Sequence, residues 1–243
     1  MTTATPRPTF CLLGLPFDPL SLPEAEQVLR NGVAAGEAGI LSTPNLNWIA
    51  LARQNPAFRQ SVLISDCCVA DGMPLVWLAR LLGLPFPERV SGADLIERLR
   101  KGRPSLRVFF FGGLGDVAER AVSALRRSPG GLVAVGSLNP GQGTVESMSS
   151  ESMIAAINAC RPDIVIVYLQ HFVHGVCGVS AEELDAWIVL KRGDFAVLAK
   201  QAREPPHEYL HSRGRQNVVH HQGAVSLHLQ ELSCVLNRVV IIS

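Results

Sequence analysis

The amino-acid sequence predicts an α/β protein in which helices cover both faces of a mostly parallel sheet. Up to about residue 169, short apolar runs rich in β-formers alternate with amphipathic helical stretches, which is typical of such a sheet. Several of the apolar runs are continuous, as expected of strands buried on both faces. The chain has 243 residues, 47% hydrophobic and 18% charged, so it can bury the core of one large domain with an appendage.

Six apolar runs are predicted as strands: Thr9–Leu15, Gly39–Ser42, Cys67–Ala70, Arg107–Phe111, Leu132–Val135 and Asp163–Leu169. Helices are predicted where a capping residue precedes an amphipathic stretch. Ser21 and Glu24 form a capping box, with Pro23 in the first turn, and open a helix that runs toward Ala35. Three further helices are expected to start at Ser91, at Asp116 and at the Ser149–Ser150 pair.

The sequence pattern changes after residue 170, which predicts a core over residues 1–169 and a divergent C-terminal segment over 170–243. All seven histidines lie in the second part. A capping box at Ser180–Glu183 predicts a helix over about 180–192. Near the end, Arg213, Arg215 and Arg238 accompany the apolar run Val239–Ile242, which predicts a tail that contacts a membrane surface.

Composition excludes several classes of protein. A net charge of +1 gives no reason to expect a nucleic-acid partner. The six cysteines form no C-x-x-C pair, and the neighbours Cys67 and Cys68 are expected to point to opposite faces of a strand, so buried free thiols in the cytoplasm are predicted. The first eight residues do not resemble a signal peptide, and no apolar stretch reaches the length of a membrane span. The histidines lack the spacing of a metal site, so neither a metal nor a cofactor is expected.

Asp71 is the residue best suited to act as a base. It lies on a glycine-containing turn between an apolar run and a helix-like segment, and ligands of α/β proteins bind at such turns. A carboxylate there can accept the proton of an attacking hydroxyl. The alternative interpretation, slightly favoured by sequence alone, is that Asp71 only caps the helix that follows.

Three other positions suggest ligand contacts. Arg89 has the chemistry to bind a diphosphate through two nitrogens, or else it is a surface arginine that pairs with Glu88 or Glu97. Thr43 and Asn45 follow another apolar run, and they either orient a sugar or cap the next helix.

A glycine-rich turn follows the Arg107–Phe111 run. Gly112, Gly113 and Gly115 precede a helix start, and Gly113 to Ala118 fits G-x-G-x-x-A, in which backbone amides approach a pyrophosphate. A tight strand-to-helix turn without a ligand is an equal alternative. A nicotinamide enzyme needs an acid at the end of the next strand, which reads Val135–Asn139 here, so a sugar nucleotide is the better prediction.

Taken together, these segments resemble the WecB/TagA/CpsF family, glycosyltransferase family 26, which acts in bacterial cell-surface polysaccharide assembly. The matching pieces are Leu13–Asp18, Thr43–Asn45, Ala52–Arg59, Ala70–Trp77, Glu88–Leu95, Phe111–Gly113 and Ile157–Ile164. The resemblance implies a Rossmann-like, inverting transferase that uses a UDP-sugar donor and a polyprenyl-diphosphate-linked acceptor at the inner face of the cytoplasmic membrane. It also implies that Asp71 is the base and that Thr43, Asn45 and Arg89 line its pocket.

The resemblance ends after residue 169. The family has a Gly-x-Pro-x-Gln-Glu turn that helps to hold the nucleotide sugar, whereas this chain reads Gln170–Gly175 there, through divergence or a disrupted reading frame. Two alternatives therefore stay open: a catalytically inactive binding protein derived from the family, and an NAD(P)-dependent oxidoreductase built on the glycine turn. The sugar, the linkage and a homo-oligomeric state are left open by the sequence.

Overall fold

A computed structural model describes residues 7–36, 38–113, 115–141 and 150–167 in full, and the backbone of 168, 186–190 and 218–219. It has the predicted α/β architecture. The strands are β1 (Thr9–Leu12), β2 (Leu15–Phe17), β3 (Gly39–Ser42), β4 (Cys67–Cys68), β5 (Leu106–Gly112), β6 (Leu132–Leu138), β7 (Ile164–Tyr168), β8 (Ala186–Leu190) and β9 (Val218–Val219). The helices are α1 (Leu22–Ala35), α2 (Leu46–Gln54), α3 (Pro56–Leu63), α4 (Met73–Leu81), α5 (Gly92–Lys101), α6 (Val117–Arg127) and α7 (Glu151–Ala159).

The main sheet has six strands among the described residues, in the order β4-β3-β8-β7-β5-β6. The pairs β3–β4, β5–β6 and β5–β7 are parallel, and β8 is antiparallel to both of its neighbours. Five of the six strands therefore run in one direction and end at the same edge. This confirms a mostly parallel, Rossmann-like sheet.

The prediction of a helix over about 180–192 is wrong for residues 186–190, because these residues form strand β8. Its backbone pairs with β3 through Leu41 and Ile188, and with β7 through Ile166 and Ile188. The run Ala-Trp-Ile-Val-Leu is continuously apolar, and such a short run fits a strand between two neighbours as well as a helix segment. The chain beyond residue 170 thus contributes a strand to the core sheet, while the boundary at 169 stays a prediction.

The first predicted strand is also different, because Thr9–Leu15 does not join the parallel sheet. Leu13 and Gly14 have φ of 53° and 87° and form a two-residue turn between the antiparallel strands β1 and β2. Two consecutive residues with positive φ are what a tight hairpin requires. The hairpin belongs to a separate sheet of order β2-β1-β9.

Helices cover both faces of the main sheet, as predicted. Buried side chains of α2, α3, α4 and α7 pack on one face, and those of α1, α5 and α6 pack on the other. Successive side chains of a strand point to opposite faces of the sheet. Cys68 packs in the core on the α2, α3, α4 and α7 side, and Cys67 packs in the core on the α1, α5 and α6 side. Both are buried free thiols, which confirms the prediction for this pair.

The predicted helix starts are present. Ser21 and Glu24 form the capping box of α1, Ser91 and Ser150 accept hydrogen bonds at the starts of α5 and α7, and Asp116 is the N-cap residue of α6. Within the described ranges, no helix has the length and apolar character that crossing a bilayer requires. The same residues contain no group of three or more potential metal ligands.

Candidate active site

Backbone hydrogen bonds connect three loops at the edge where β3 and β4 end. The amide of Asp71 donates to the carbonyl of Pro44 at 3.0 Å, which ties the loop after β4 to the loop after β3. The amide of Val90 donates to the carbonyl of Ala70 at 2.9 Å, which adds the loop between α4 and α5. The candidate residues Thr43, Asn45, Asp71 and Arg89 lie on these three loops, so the structure brings them together.

Asp71 lies in a nearly enclosed position, with its side chain 12% exposed. Its Oδ1 is 3.4 Å from Nη1 of Arg89. The N-cap position of α4 belongs to Gly72, so Asp71 lies one residue before it. The N-cap position that sequence alone slightly favoured for Asp71 is thus one residue further along the chain.

Gly72 sets the direction in which the chain leaves Asp71. Its φ of 148° and ψ of 127° lie in a region that residues with a side chain rarely adopt. The turn lets Asp71 remain at the end of β4 while α4 begins directly at Met73.

Arg89 bridges two carboxylates. Its Nη2 donates to Oδ2 of Asp94 at 2.6 Å, and its Nη1 faces Asp71. Asp94 is held in turn by Ser91, whose hydroxyl donates to the same Oδ2 at 2.6 Å and accepts from the amide of Asp94. The guanidinium is thus oriented from the start of α5, and it stays partly exposed at the site.

The two pairings suggested for Arg89 as a surface residue do not occur. Oε1 of Glu88 accepts from the amide of Leu22 at 2.7 Å, at the start of α1. Glu97 is paired with Arg100 and Lys101, and the hydrogen bonds from Arg100 are the main reason that the pKa of Glu97 falls to about 2.

Thr43 and Asn45 occupy the loop after β3. Thr43 is completely buried. Oδ1 of Asn45 accepts from the amide of Trp48 at 3.1 Å, so Asn45 is the N-cap of α2. The capping role is therefore observed for Asn45, and a role toward a sugar remains a prediction for both residues.

The glycine turn lies farther along the same edge. Gly112, Gly113 and Gly115 have φ of 91°, 87° and 56°, and they connect β5 to α6. Since β3, β8 and β7 lie between β4 and β5, the turn is roughly 19 Å from the Asp71 loop, or four strand spacings. Asn139, from the loop after β6, donates to the carbonyl of Gly115 at 2.8 Å and holds the turn in place.

Sequence reasoning missed two residues that organise this edge. Asp94 lies at the third position of a helix opened by Ser91, a spacing that could have suggested a capping pair. Asp18 is 3% exposed, and its carboxylate accepts from the hydroxyl of Thr9 and from the amide of Cys68, which joins the hairpin to β4. No local pattern indicates that an Asp before a proline is buried.

A family model described as "Glycosyl transferase WecG/TagA/CpsF family" matches residues 10–169, two thirds of the chain and every candidate residue named above. The chain belongs to this family. The resemblance of its motifs is thereby confirmed, and the family consists of glycosyltransferases.

Among curated proteins, this family member is similar to an N-acetylglucosaminyldiphosphoundecaprenol N-acetyl-beta-D-mannosaminyltransferase of Bacillus spizizenii. The two are 26% identical over 142 residues, which is 56% of this chain and 52% of the relative. The chain therefore spans about half the length of the curated relative that it matches.

Proposed function

We propose that this chain is an inverting glycosyltransferase of cell-envelope polysaccharide synthesis, which moves a sugar from a UDP-sugar to a polyprenyl-diphosphate-linked glycan. The observation that carries the proposal is the Asp71–Arg89–Asp94 cluster, which lies at the carboxyl edge of a Rossmann-like sheet. Ligands of open α/β sheets bind at this edge. The name of the Bacillus spizizenii relative, which includes a lipid-diphosphate-linked sugar, supports the same substrate class.

In the proposed reaction, Asp71 takes the proton of the acceptor hydroxyl as its oxygen attacks the anomeric carbon of the donor sugar. The bond from that carbon to the UDP oxygen breaks, and the diphosphate leaves with the electron pair. One sugar–oxygen bond forms and one breaks on the opposite side, so the configuration inverts. Asp94 orients Arg89, and in this proposal Arg89 stabilises the negative charge that develops on the diphosphate.

The glycine turn is the second part of the proposed donor site. Backbone amides near Gly112, Gly113 and Gly115, at the start of α6, are suited to polar atoms of the nucleotide because a helix N-terminus presents free N–H donors. Since the turn lies four strand spacings from Asp71, it cannot contact the same diphosphate as Arg89, and we assign it to the nucleoside end of the donor. A nucleotide sugar would then lie along the sheet edge, with its sugar toward Thr43 and Asn45. The proposal requires neither a metal nor a cofactor.

The proposed location is the cytoplasm, with peripheral contact to the inner face of the cytoplasmic membrane, where a lipid-linked acceptor is found. The predicted basic tail with Val239–Ile242 lies outside the described residues, as does the replaced Gln170–Gly175 turn. Both stay predictions, as does self-association as a homo-oligomer.

The first experiment combines calorimetric titration with UDP and a transfer assay on Asp71→Asn. We expect turnover to fall about a hundredfold or more, because the base is lost, while UDP binds nearly as before. Asp163→Asn is the matched control, since Asp163 precedes β7 and lies at the opposite edge of the sheet. Full activity of Asp71→Asn would refute the assignment of the base.

Two further outcomes would refute the proposal as a whole. A folded protein that binds no UDP and no UDP-sugar would favour the inactive binding protein. Binding of NAD in place of UDP in the parallel titration would favour the oxidoreductase.

A further inference from the structure

Helix α4 presents an apolar ridge to solvent. Met73, Trp77 and Leu81 recur every fourth residue, so they lie on one side of the helix, and they are 38%, 61% and 83% exposed. The opposite side of the same helix, with Leu75 and Val76, is buried in the core. The helix is therefore apolar on its outer side as well as on its inner side, which is unusual for a surface helix.

The ridge begins at the candidate active site. Its first residue, Met73, is two positions after Asp71, and Leu46, 45% exposed, lies in the first turn of the neighbouring α2. The loops before these two helices are joined by the hydrogen bond from Asp71 to Pro44. Of the five large hydrophobic side chains exposed among the described residues, three form this ridge, and the other two are Leu46 on α2 and Val133 on β6.

The charge of the surrounding segment is suited to a lipid surface. From residue 73 to residue 87 the only charged side chain is Arg80, a cation. Its guanidinium donates to the carbonyls of Phe86 and Pro87, which holds it on the exposed side beside the ridge. Trp side chains favour the interface of a bilayer, and a cation next to them favours anionic headgroups.

A bilayer fits this surface better than a second copy of the chain. The three ridge side chains expose roughly 300–400 Å², a patch size that marks an interaction site. A stable dimer buries about 800 Å² on each partner and needs complementary shape. A bilayer accepts a small, convex ridge without such complementarity.

We propose that the ridge of Met73, Trp77 and Leu81 docks the protein on an anionic lipid bilayer. The geometry would hold Asp71 at the level of the headgroups, where the diphosphate-linked sugar of a polyprenyl acceptor is presented. The presentation of the acceptor to Asp71 rests on the proposed function, but docking on the bilayer is measurable without catalysis.

Co-sedimentation of the full chain with phosphatidylglycerol–phosphatidylcholine vesicles tests the docking. We expect Trp77→Ser combined with Leu81→Ser to weaken binding at least tenfold, because exposed apolar contacts are lost while the buried residues Leu75 and Val76 are unchanged. Val133→Ser is the control, since it removes an exposed apolar side chain on β6, away from the ridge, and its binding should equal that of the parent. Brominated lipids should quench the fluorescence of the parent, and Trp77→Phe should remove most of that quenching.

Unchanged vesicle binding of the double variant would overturn the proposal and assign any membrane contact to another part, such as the predicted tail. A dimer in sedimentation velocity that Trp77→Ser dissociates would assign the ridge to a second copy and also overturn it. Transfer to a water-soluble, short-chain acceptor separates the two proposals. If the double variant still transfers sugar to this soluble acceptor, its loss of vesicle binding is a defect in docking and not in catalysis. If even the parent shows no transfer while its vesicle binding depends on the ridge, the proposed function fails and the docking stands.

Discussion

Replacing Asp18 should reveal how the β1–β2 hairpin supports the strand that leads to Asp71. The Asp18 carboxylate is buried and accepts from Thr9 Oγ1 at 2.7 Å and from the amide of Cys68 at 2.8 Å. The amide of Asp18 donates to the carbonyl of Cys68 at 2.7 Å, so the pairing with β4 is reciprocal. Thr9 and Cys68 are themselves buried, and water cannot easily replace the lost acceptor.

The structure gives the size of the effect. In Asp18→Ala, two buried donors lose their acceptor, each at a cost of about 1–3 kcal/mol, and the relief of a buried charge offsets part of the sum. We therefore expect the free energy of unfolding to fall by about 3 kcal/mol, which lowers Tm by roughly 6–12 °C in a domain of this size. Asp18→Asn should cost only about 1 kcal/mol, because its amide can donate to Thr9 while its carbonyl accepts from Cys68.

Urea denaturation followed by circular dichroism measures these differences. Asp163→Ala is the control, since Asp163 also accepts a backbone hydrogen bond, from the amide of Arg107 at 2.8 Å, but in an exposed position. Asp163→Ala should lower the free energy of unfolding by less than about 1 kcal/mol, because water can satisfy the freed amide. If Asp18→Ala costs no more than this control, the reasoning about buried donors is wrong.

The structure also predicts how three further substitutions affect the stability of the fold. Because the pKa of Glu97 is lowered from 4.5 to about 2 by its hydrogen bonds to Arg100, its ionised form stabilises the fold above pH 4.5, and this contribution is lost as the pH falls through about 2. Glu97 is 39% exposed, so Glu97→Gln should cost less than about 1 kcal/mol at pH 7 in thermal melts, and a gap that persists at pH 2 would contradict this. Gly72→Ala should destabilise by about 1–3 kcal/mol in urea titrations because of its φ of 148°; an unchanged midpoint would disprove the strain. Asn45→Ala should cost about 1 kcal/mol through loss of the α2 cap and Asn45→Asp should restore it, unless Trp48 finds another acceptor.

The sequence predicted most elements because their signals are local. The capping box at Ser21 and Glu24 and the N-caps at Ser91 and Ser150 act within one helical turn, and all are present. The tight turn at Leu13 was missed, since leucine is uncommon at positive φ and the apolar run reads as one strand. β8 was missed because a short apolar run becomes a strand only when neighbours such as β3 and β7 leave a place for it.

For the candidate site, the sequence by itself determined which residue types stand in the loops: the acid Asp71 after β4, the cation Arg89 between α4 and α5, and the glycines at the end of β5. Only the tertiary structure decided which of them meet. Asp71 and Arg89 are 18 positions apart, and Asp18 and Cys68 are 50 apart, so no local window contains either pair. The contacts exist because backbone hydrogen bonds hold the Arg89 loop and the β1–β2 hairpin against the end of β4, through Val90 to Ala70 and through Asp18 to Cys68. The order of the strands keeps the glycine turn after β5 four strand spacings away from β4.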